Sequence, residues 1–497
     1  MILSNEQDEN SYYKDQFEIS NENYRRSLVG FEYPKVLFDS PPTANQAKIM
    51  IFSIFFIVGI TQGYQAAIVM ELQEKGCTYS QQAFFSLGLY PFSFRILFAP
   101  VLDIFYIKSI GKCKSWVFGT CTALFTILTI SAIDADSRIH PDNYIRLTLV
   151  WLAVNMLVLY LQVAAEVWAT KIFDSPDDTA RSANMVMLGY NSGMFAGLNV
   201  FVPLSDLDWL NRHIFTGNRL DTPIMNHTRM HVLQAIICLT VGMYVLMRVA
   251  EKRFNTRQSS KDTACQVLNI VPKIFANKNL RLILYFICAG RLFSSLVMDT
   301  MPLKLIDHGI KKTTLVNLGT YTFPLLLVSS YVFMRIMKQS HLMRQSYYLY
   351  LFGSVMFMVS YLIYIDLKVN SNIARTGWLL LATSIIGRFQ LRLVFIQGFF
   401  NTITQEAVAS TFISFMMCWT NSFEHIPSTI GLRIVGADII NYDVFVFLCL
   451  LLELCMIVPL YKSAKYLDSL RKSDFAVVDE RTSDELTNMD RDGSLTN

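Results

Sequence analysis

The sequence is short of charge. Only 16% of its 497 residues are Asp, Glu, Lys or Arg, against about 25% for a soluble globular chain. That deficit argues against an ordinary soluble enzyme, and a net charge of +4 gives no basis for binding nucleic acid. A cysteine framework is missing too. The nine cysteines include no CxxC and lie mostly inside apolar runs, which points to unpaired thiols rather than a disulfide-stapled secreted domain. No glycine-rich phosphate loop occurs, so ATP hydrolysis on this chain is excluded as a driving force. The seven histidines show no ligand spacing, so no metal is expected, nor any other cofactor. The first 48 residues are polar and mixed in charge, unlike a cleavable signal peptide.

Apolar and aromatic residues are abundant instead, at 53% and 13%, with a mean hydropathy of +0.35. They gather into roughly twelve stretches near the about 20 residues that a helix needs to cross a bilayer. These are 49–70, 82–107, 115–133, 147–169, 183–203, 232–250, 280–303, 315–337, 346–366, 377–400, 407–431 and 443–461. Backbone polar groups cannot go unsatisfied in lipid, so the stretches are expected to be helices. The fold class is all-α, a polytopic membrane protein.

The basic segment 251–279 divides the stretches six and six. The expected organisation is a tail over 1–48, a first half over 49–250, the linker 251–279, a second half over 280–462, and a solvated acidic tail over 463–497. Two six-helix halves on a long linker resemble parallel-repeat transporters, whose substrate site lies between the halves. Lysines at 108, 112 and 114, the basic linker and Lys462, Lys465, Arg471 and Lys472 put both termini in the cytosol. The sequon Asn226-His227-Thr228 then falls on the opposite side, and Asn226 is a candidate glycosylation site.

The densest chemistry runs from 81 to 116. Pro91 and Pro100 are expected to break or bend the second helix. Asp103, Lys108, Gly111, Lys112 and Lys114 follow at its cytosolic end. An acid and cations facing across a short turn make an ion-pair latch, and hence a gate; for the lysines, topology alone is the competing explanation. Arg95, Arg291, Arg388 and Arg392 lie inside expected spans, where a charge faces a watery cavity or a partner. Arg388 and Arg392 are four apart and share a helix face. Their forks suit phosphate, and these four arginines are the leading substrate-binding candidates. Pairing with Glu166, Asp299 or Glu453 is the alternative, and Arg95 is also within reach of Asp103. Glu166, among apolar neighbours, is the candidate proton-coupling acid. Tyr64 and Tyr190 are placed either to stack a purine or simply to pack, while Trp151, Trp378 and Tyr361 suit the interfacial belts.

The succession Gln82-Ala83-Phe84-Phe85-Ser86, Pro91-Phe92-Ser93, Ala99-Pro100-x-x-Asp103 and Lys114-Ser115-Trp116 resembles the acetyl-coenzyme A transporter family of the major facilitator superfamily. Gly59, Gly63, Trp168-Ala169, Gly193-x-Phe195-x-Gly197, Leu303-Lys304-Leu305, Gly309, Asn401 and Pro427-Ser428-Thr429 extend the resemblance over 49–462. Where the family has two acids in its fourth helix, this chain has Gln162 and Glu166; family polar positions in the fifth fall on Val186 and Tyr190. In the tenth, the family's His-Gln pair falls on Ile386 and Gly387. The resemblance implies a transporter and not an enzyme. It would carry acetyl-CoA, or a similar anion, from the cytosol into the endoplasmic reticulum lumen by alternating access. Gln162 and Tyr190 join the substrate-contact candidates as positions that differ. Apart from its substrate, the bilayer is the only partner expected, and nothing specifies the oligomeric state. Rival readings are a carrier of another organic anion or a muropeptide-like solute, or a non-transporting sensor or scaffold acting through its tails. A membrane acyltransferase is the least supported, with His425 the one histidine near a span centre.

Overall fold

In the computed structural model the described residues are 44–107, 110–169, 176–249, 251, 270–317, 320, 341–369, 395–396, 399–400, 402–403 and 409–477. Every regular element among them is helical. The first half contains α1 (Ala44–Glu74), α2 (Tyr79–Ser86), α3 (Arg95–Ile104), α4 (Lys112–Ala132), α5 (Tyr144–Ala169), α6 (Pro176–Phe195) and α7 (His227–Arg248). The second contains α8 (Lys278–Ala289), α9 (Leu292–Met298), α10 (Thr300–Asp307), α11 (Leu342–Val369), α12 (Ala409–Gly436), α13 (Tyr442–Cys455) and α14 (Ile457–Leu467). With 31 residues, α1 is about 46 Å long, more than the roughly 30 Å of a hydrocarbon core.

Eight helical runs among the described residues are long and apolar enough to cross a bilayer. The broken run α2–α3 and α12, which carries Glu424, His425 and Arg433, occupy two further expected spans. The expected spans 315–337 and 377–400 lie largely outside the described residues, as does most of the linker. Its last residues, 270–276, are helical, and Ile270 and Ile274 pack into the second half's core.

Helix starts follow local chemistry. Thr78 and Gln81 form a reciprocal capping box at α2, and Asn226, Asn277 and Asn441 cap α7, α8 and α13 through their side chains. Each half repeats one device. The carboxylate of Glu251, just past α7, accepts from the backbone N–H groups of Cys113 (3.0 Å) and Lys114 (2.8 Å) at the start of α4. Asp468, just past α14, does the same for Met343 (3.0 Å) and Arg344 (2.9 Å) at the start of α11. A carboxylate satisfies the orphan donors of a helix N-terminus and suits its positive end. Helices α7 and α14 are thereby tied to α4 and α11.

Small residues set the tightest packing. A Cβ on Gly59 or Gly63 of α1 would strike the carbonyl of Tyr190 or Met194. Conversely, one on Gly189, Gly193 or Gly197 would strike the carbonyls of Phe52, Phe56 or Ile60. The glycines recur every fourth residue, so each helix offers one bare stripe to the other. Between the halves, α12 crosses the broken second span. Ser86 and Thr429 hydroxyls meet at 2.6 Å, and the Ser93 carbonyl accepts from Cys418 (2.9 Å) and Ser422 (2.8 Å).

Candidate functional site

The second span is broken where the sequence is richest. A 3-10 turn over Leu87–Leu89 and a short helix Tyr90–Ser93 separate α2 from α3. Pro91 opens that short helix, and Phe94 leaves helical geometry at φ −110°, ψ 20°. Asn155 of α5 donates to the Gly88 carbonyl at 2.8 Å, satisfying an acceptor within the break. At position 100 the helix is not broken: α3 continues through it. A proline inside a helix removes one N–H, and here the run goes on past it.

Arg95 begins α3 directly after the break. Both its terminal nitrogens donate to the carboxylate of Glu166 on α5, and Gln162, one turn earlier, donates to Glu166 Oε1 at 2.8 Å. Three sequence candidates therefore form one cluster. Of the partners considered for Arg95, Glu166 is engaged; the Asp103 side chain is outside the described residues. Arg95 is 2% exposed while Glu166 is 24% exposed, so solvent reaches the acid and not the base. Arg95 Nε is buried without a hydrogen-bond partner.

A second cluster occupies the other half. Arg291 sits at the break between α8 and α9, at φ −125°, ψ −31°. It donates to the Thr420 carbonyl (2.9 Å) and pairs with Glu424 (3.0 Å). Thr420 and Glu424 lie one turn apart on α12, so one guanidinium spans a single helix face. Again the base is sealed and the acid is not: Arg291 is 2% exposed, Glu424 43%. Tyr190, from the other half, lies within electrostatic reach of Glu424, as does the neighbouring His425. Sequence reading missed Glu424, although an acid and a histidine side by side within an apolar span were visible.

Other candidates are placed as follows. Arg388 and Arg392 lie outside the described residues, as do Lys108 and Trp378. Gly111, at φ +112°, rests against Glu251, and a Cβ there would strike its carboxylate. Glu251 of the same half thus stands at the lysine turn, with Lys112 opening α4 and Lys114 buried, while the Asp103 side chain lies outside the described residues. Tyr64 is fully buried against Trp151, Phe201, His227 and His231, which removes it as a purine platform. Trp151 is likewise core rather than interfacial. Asp299 accepts from Ser428, and Glu453 from Ser354 (3.2 Å). Asn226 caps α7 through Oδ1 and donates from Nδ2 to Asp136 (2.9 Å). Both amide atoms are thus engaged in holding the start of α7. The eight described cysteines are all free thiols.

The halves are also fastened at the end where α1 and α10 finish. Asp307 accepts from Gln73 (2.7 Å) and Tyr79. Lys312 pairs with Glu71 (3.2 Å) and Glu74 (3.1 Å), and Lys304 lies over the Tyr79 ring at 4.7 Å.

Residues 48–278, a little under half of the chain, match the family model described as acetyl-coenzyme A transporter 1. An uncharacterised protein of Schizosaccharomyces pombe is 24% identical over 179 residues, which are 35% of this chain and 34% of that protein. An uncharacterised membrane protein of Saccharomyces cerevisiae is 22% identical over 217 residues, 40% of this chain and 38% of that one. The chain thus spans little more than a third of the length of the curated relatives it matches. Among solved structures, a D-xylose–proton symporter superposes with a TM-score of 0.56 at 9% identity, covering 86% of this chain and 99% of that one. The xylose transporter of E. coli gives 0.54 at 9% identity, covering 84% and 96%. These likenesses show the fold, a major facilitator bundle. The first half of the chain is thus similar to the acetyl-coenzyme A transporter family, and the whole shares the fold of these transporters.

Proposed function

We propose that this membrane transporter carries acetyl-CoA, or a similar nucleotide-like organic anion, from the cytosol to the lumen of the endoplasmic reticulum by alternating access, with both termini cytosolic. The observation that carries the reading is the pair of mid-bundle arginines, each placed at a helix break and each held by a solvent-reached glutamate. Broken helices mark substrate sites in carriers of this kind. A buried guanidinium needs a counter-charge, and a carboxylate supplies it while the site is empty. An arriving phosphate or carboxylate competes for the same fork. Protonating Glu166 would release Arg95 for that exchange, which gives the coupling role assigned to this acid a physical route. Arg388 and Arg392 would add positive charge from the tenth span. Gln162 and Tyr190 would complete the contacts, and Asp103 with Lys108, Gly111, Lys112 and Lys114 would close the cytosolic end.

One observation favours a second reading. At both clusters the exposed group is the acid, which suits a dipolar solute with an amine as well as anionic groups, such as a muropeptide-like compound. Uptake into proteoliposomes decides between the two. Labelled acetyl-CoA should enter saturably with wild-type protein and fail with Arg388→Ala/Arg392→Ala. Entry of an amino-bearing peptide anion, with no acetyl-CoA entry, would favour the second reading.

A further inference from the structure

We propose that His227 is a proton-binding site through which acid on the α1–α10 side loosens the fastening between the two halves. The inference does not depend on which solute is carried. The imidazole opens α7 and is buried. Its Nε2 and the ammonium of Lys312 converge on one oxygen, Glu71 Oε2, at 2.9 and 3.2 Å. His227 and Glu71 belong to the first half, whereas Lys312 follows α10 in the second. The carboxylate therefore has one cation from across the interface and one titratable neighbour from within.

The other groups around the imidazole are fixed. On α1, Tyr64 Oη meets His227 Nδ1 at 2.9 Å, and Lys75 takes the other oxygen of Glu71 at 2.8 Å. From the segment after α4, Asp136 accepts from the His227 backbone N–H at 2.9 Å, and Arg138 lies within electrostatic reach of the neighbouring His231. On α7 itself, His231 Nδ1 contacts the His227 carbonyl at 2.8 Å. The Phe201 ring packs on the imidazole at 5.5 Å, and Glu74 shares Lys312 from the far side.

The direction follows from charge. Neutral His227 donates Nε2–H to Glu71 and leaves Lys312 to neutralise the pair's charge across the interface. Protonated His227 supplies a second cation to the same oxygen and repels Lys312. When Lys312 withdraws, the Glu71 oxygen that it shared keeps a cation only where His227 carries its proton. By linkage, the proton then favours the state in which Lys312 has withdrawn. Histidine is the side chain whose charge changes between pH 5 and 8. A difference of one pH unit in proton affinity between the two states changes their ratio about tenfold across that window.

The test uses full-length protein in lipid nanodiscs, with nitroxides attached through a genetically encoded ketone residue at the exposed positions Gly217 and Ile439, one in each half. This leaves all nine native cysteines in place. Pulsed electron resonance should show a longer inter-label distance gaining population about tenfold between pH 8 and pH 5. His227→Gln should hold the short distance at both pH values. Lys312→Gln, a partly exposed position that serves if His227→Gln does not fold, should show the longer distance already at pH 8 and a smaller pH step. A wild-type distance unmoved by pH overturns the proposal. So does a full-sized pH step in either variant.

Discussion

Replacing Glu424 by Gln removes the counter-charge from an arginine that is 2% exposed. Breaking a buried ion pair on one side costs about 3–5 kcal/mol, because the remaining charge is left uncompensated. Glu424 is 43% exposed, so water screens part of the interaction and the expected cost falls to about 2 kcal/mol. Arg291 also keeps its bond to the Thr420 carbonyl, which limits the loss further. For a chain of this size that is a fall of about 2 °C in apparent melting temperature. Arg291→Met/Glu424→Met substitutes apolar side chains of similar length and leaves no charge behind. It should melt within about 1 °C of wild type or above it, since well-packed apolar replacements of buried pairs are neutral or stabilising. Thermal unfolding of the purified single and double variants reads this as a coupling energy. A double variant that loses as much as the sum of Arg291→Met and Glu424→Met would refute the paired-charge account.

Gly197→Ala should cost about 1–3 kcal/mol by overpacking, because its Cβ would meet the Ile60 carbonyl of α1. Gly353→Ala, with nothing within 4 Å of the new Cβ, should be neutral or stabilising by up to about 1 kcal/mol; equal melting temperatures for the two would contradict the stripe. Glu251→Ala and Asp468→Ala each remove a helix cap and should each cost about 1 kcal/mol, measured by the same melts; no loss in either would remove the repeated device. Cys77, outside the spanning helices, is buried, and burial pushes its thiol up to about 11. Its alkylation by a maleimide should still be accelerating with pH at pH 10, and a plateau near pH 9 would contradict that environment.

The fold was legible because lipid leaves the backbone no choice: long apolar runs must be helices, and the described runs coincide with ten of the expected spans. Glycine spacing at 59, 63, 193 and 197 was visible too, although only the backbone approach of α1 and α6 explains it. Pairing was less legible. Arg95 and Glu166 are 71 residues apart, and no periodicity within one helix tells which acid faces which base across a bundle. The same holds for Arg291, whose partner Glu424 stands beside a histidine that drew the attention instead. Asn226 carries a second role that the sequon does not reveal. A sequon and a helix N-cap are written with the same residue, and only the structure shows the cap. The Glu251 carboxylate against Gly111 and the Lys114 backbone N–H, 137 residues away at the far end of α7, was equally hidden from any local pattern.

The central claim is that the mid-bundle guanidiniums receive an organic anion. Equilibrium binding of labelled acetyl-CoA to the purified full-length protein, beside Arg95→Met/Glu166→Met and Arg291→Met/Glu424→Met, tests it most directly. These double variants remove each guanidinium without stranding a charge, so a loss of fold does not obscure the result. Saturable binding by wild type, weakened at least about tenfold in both, is the predicted result, since a charged hydrogen bond contributes about 1.5–3 kcal/mol. Wild-type affinity retained in both would contradict the account.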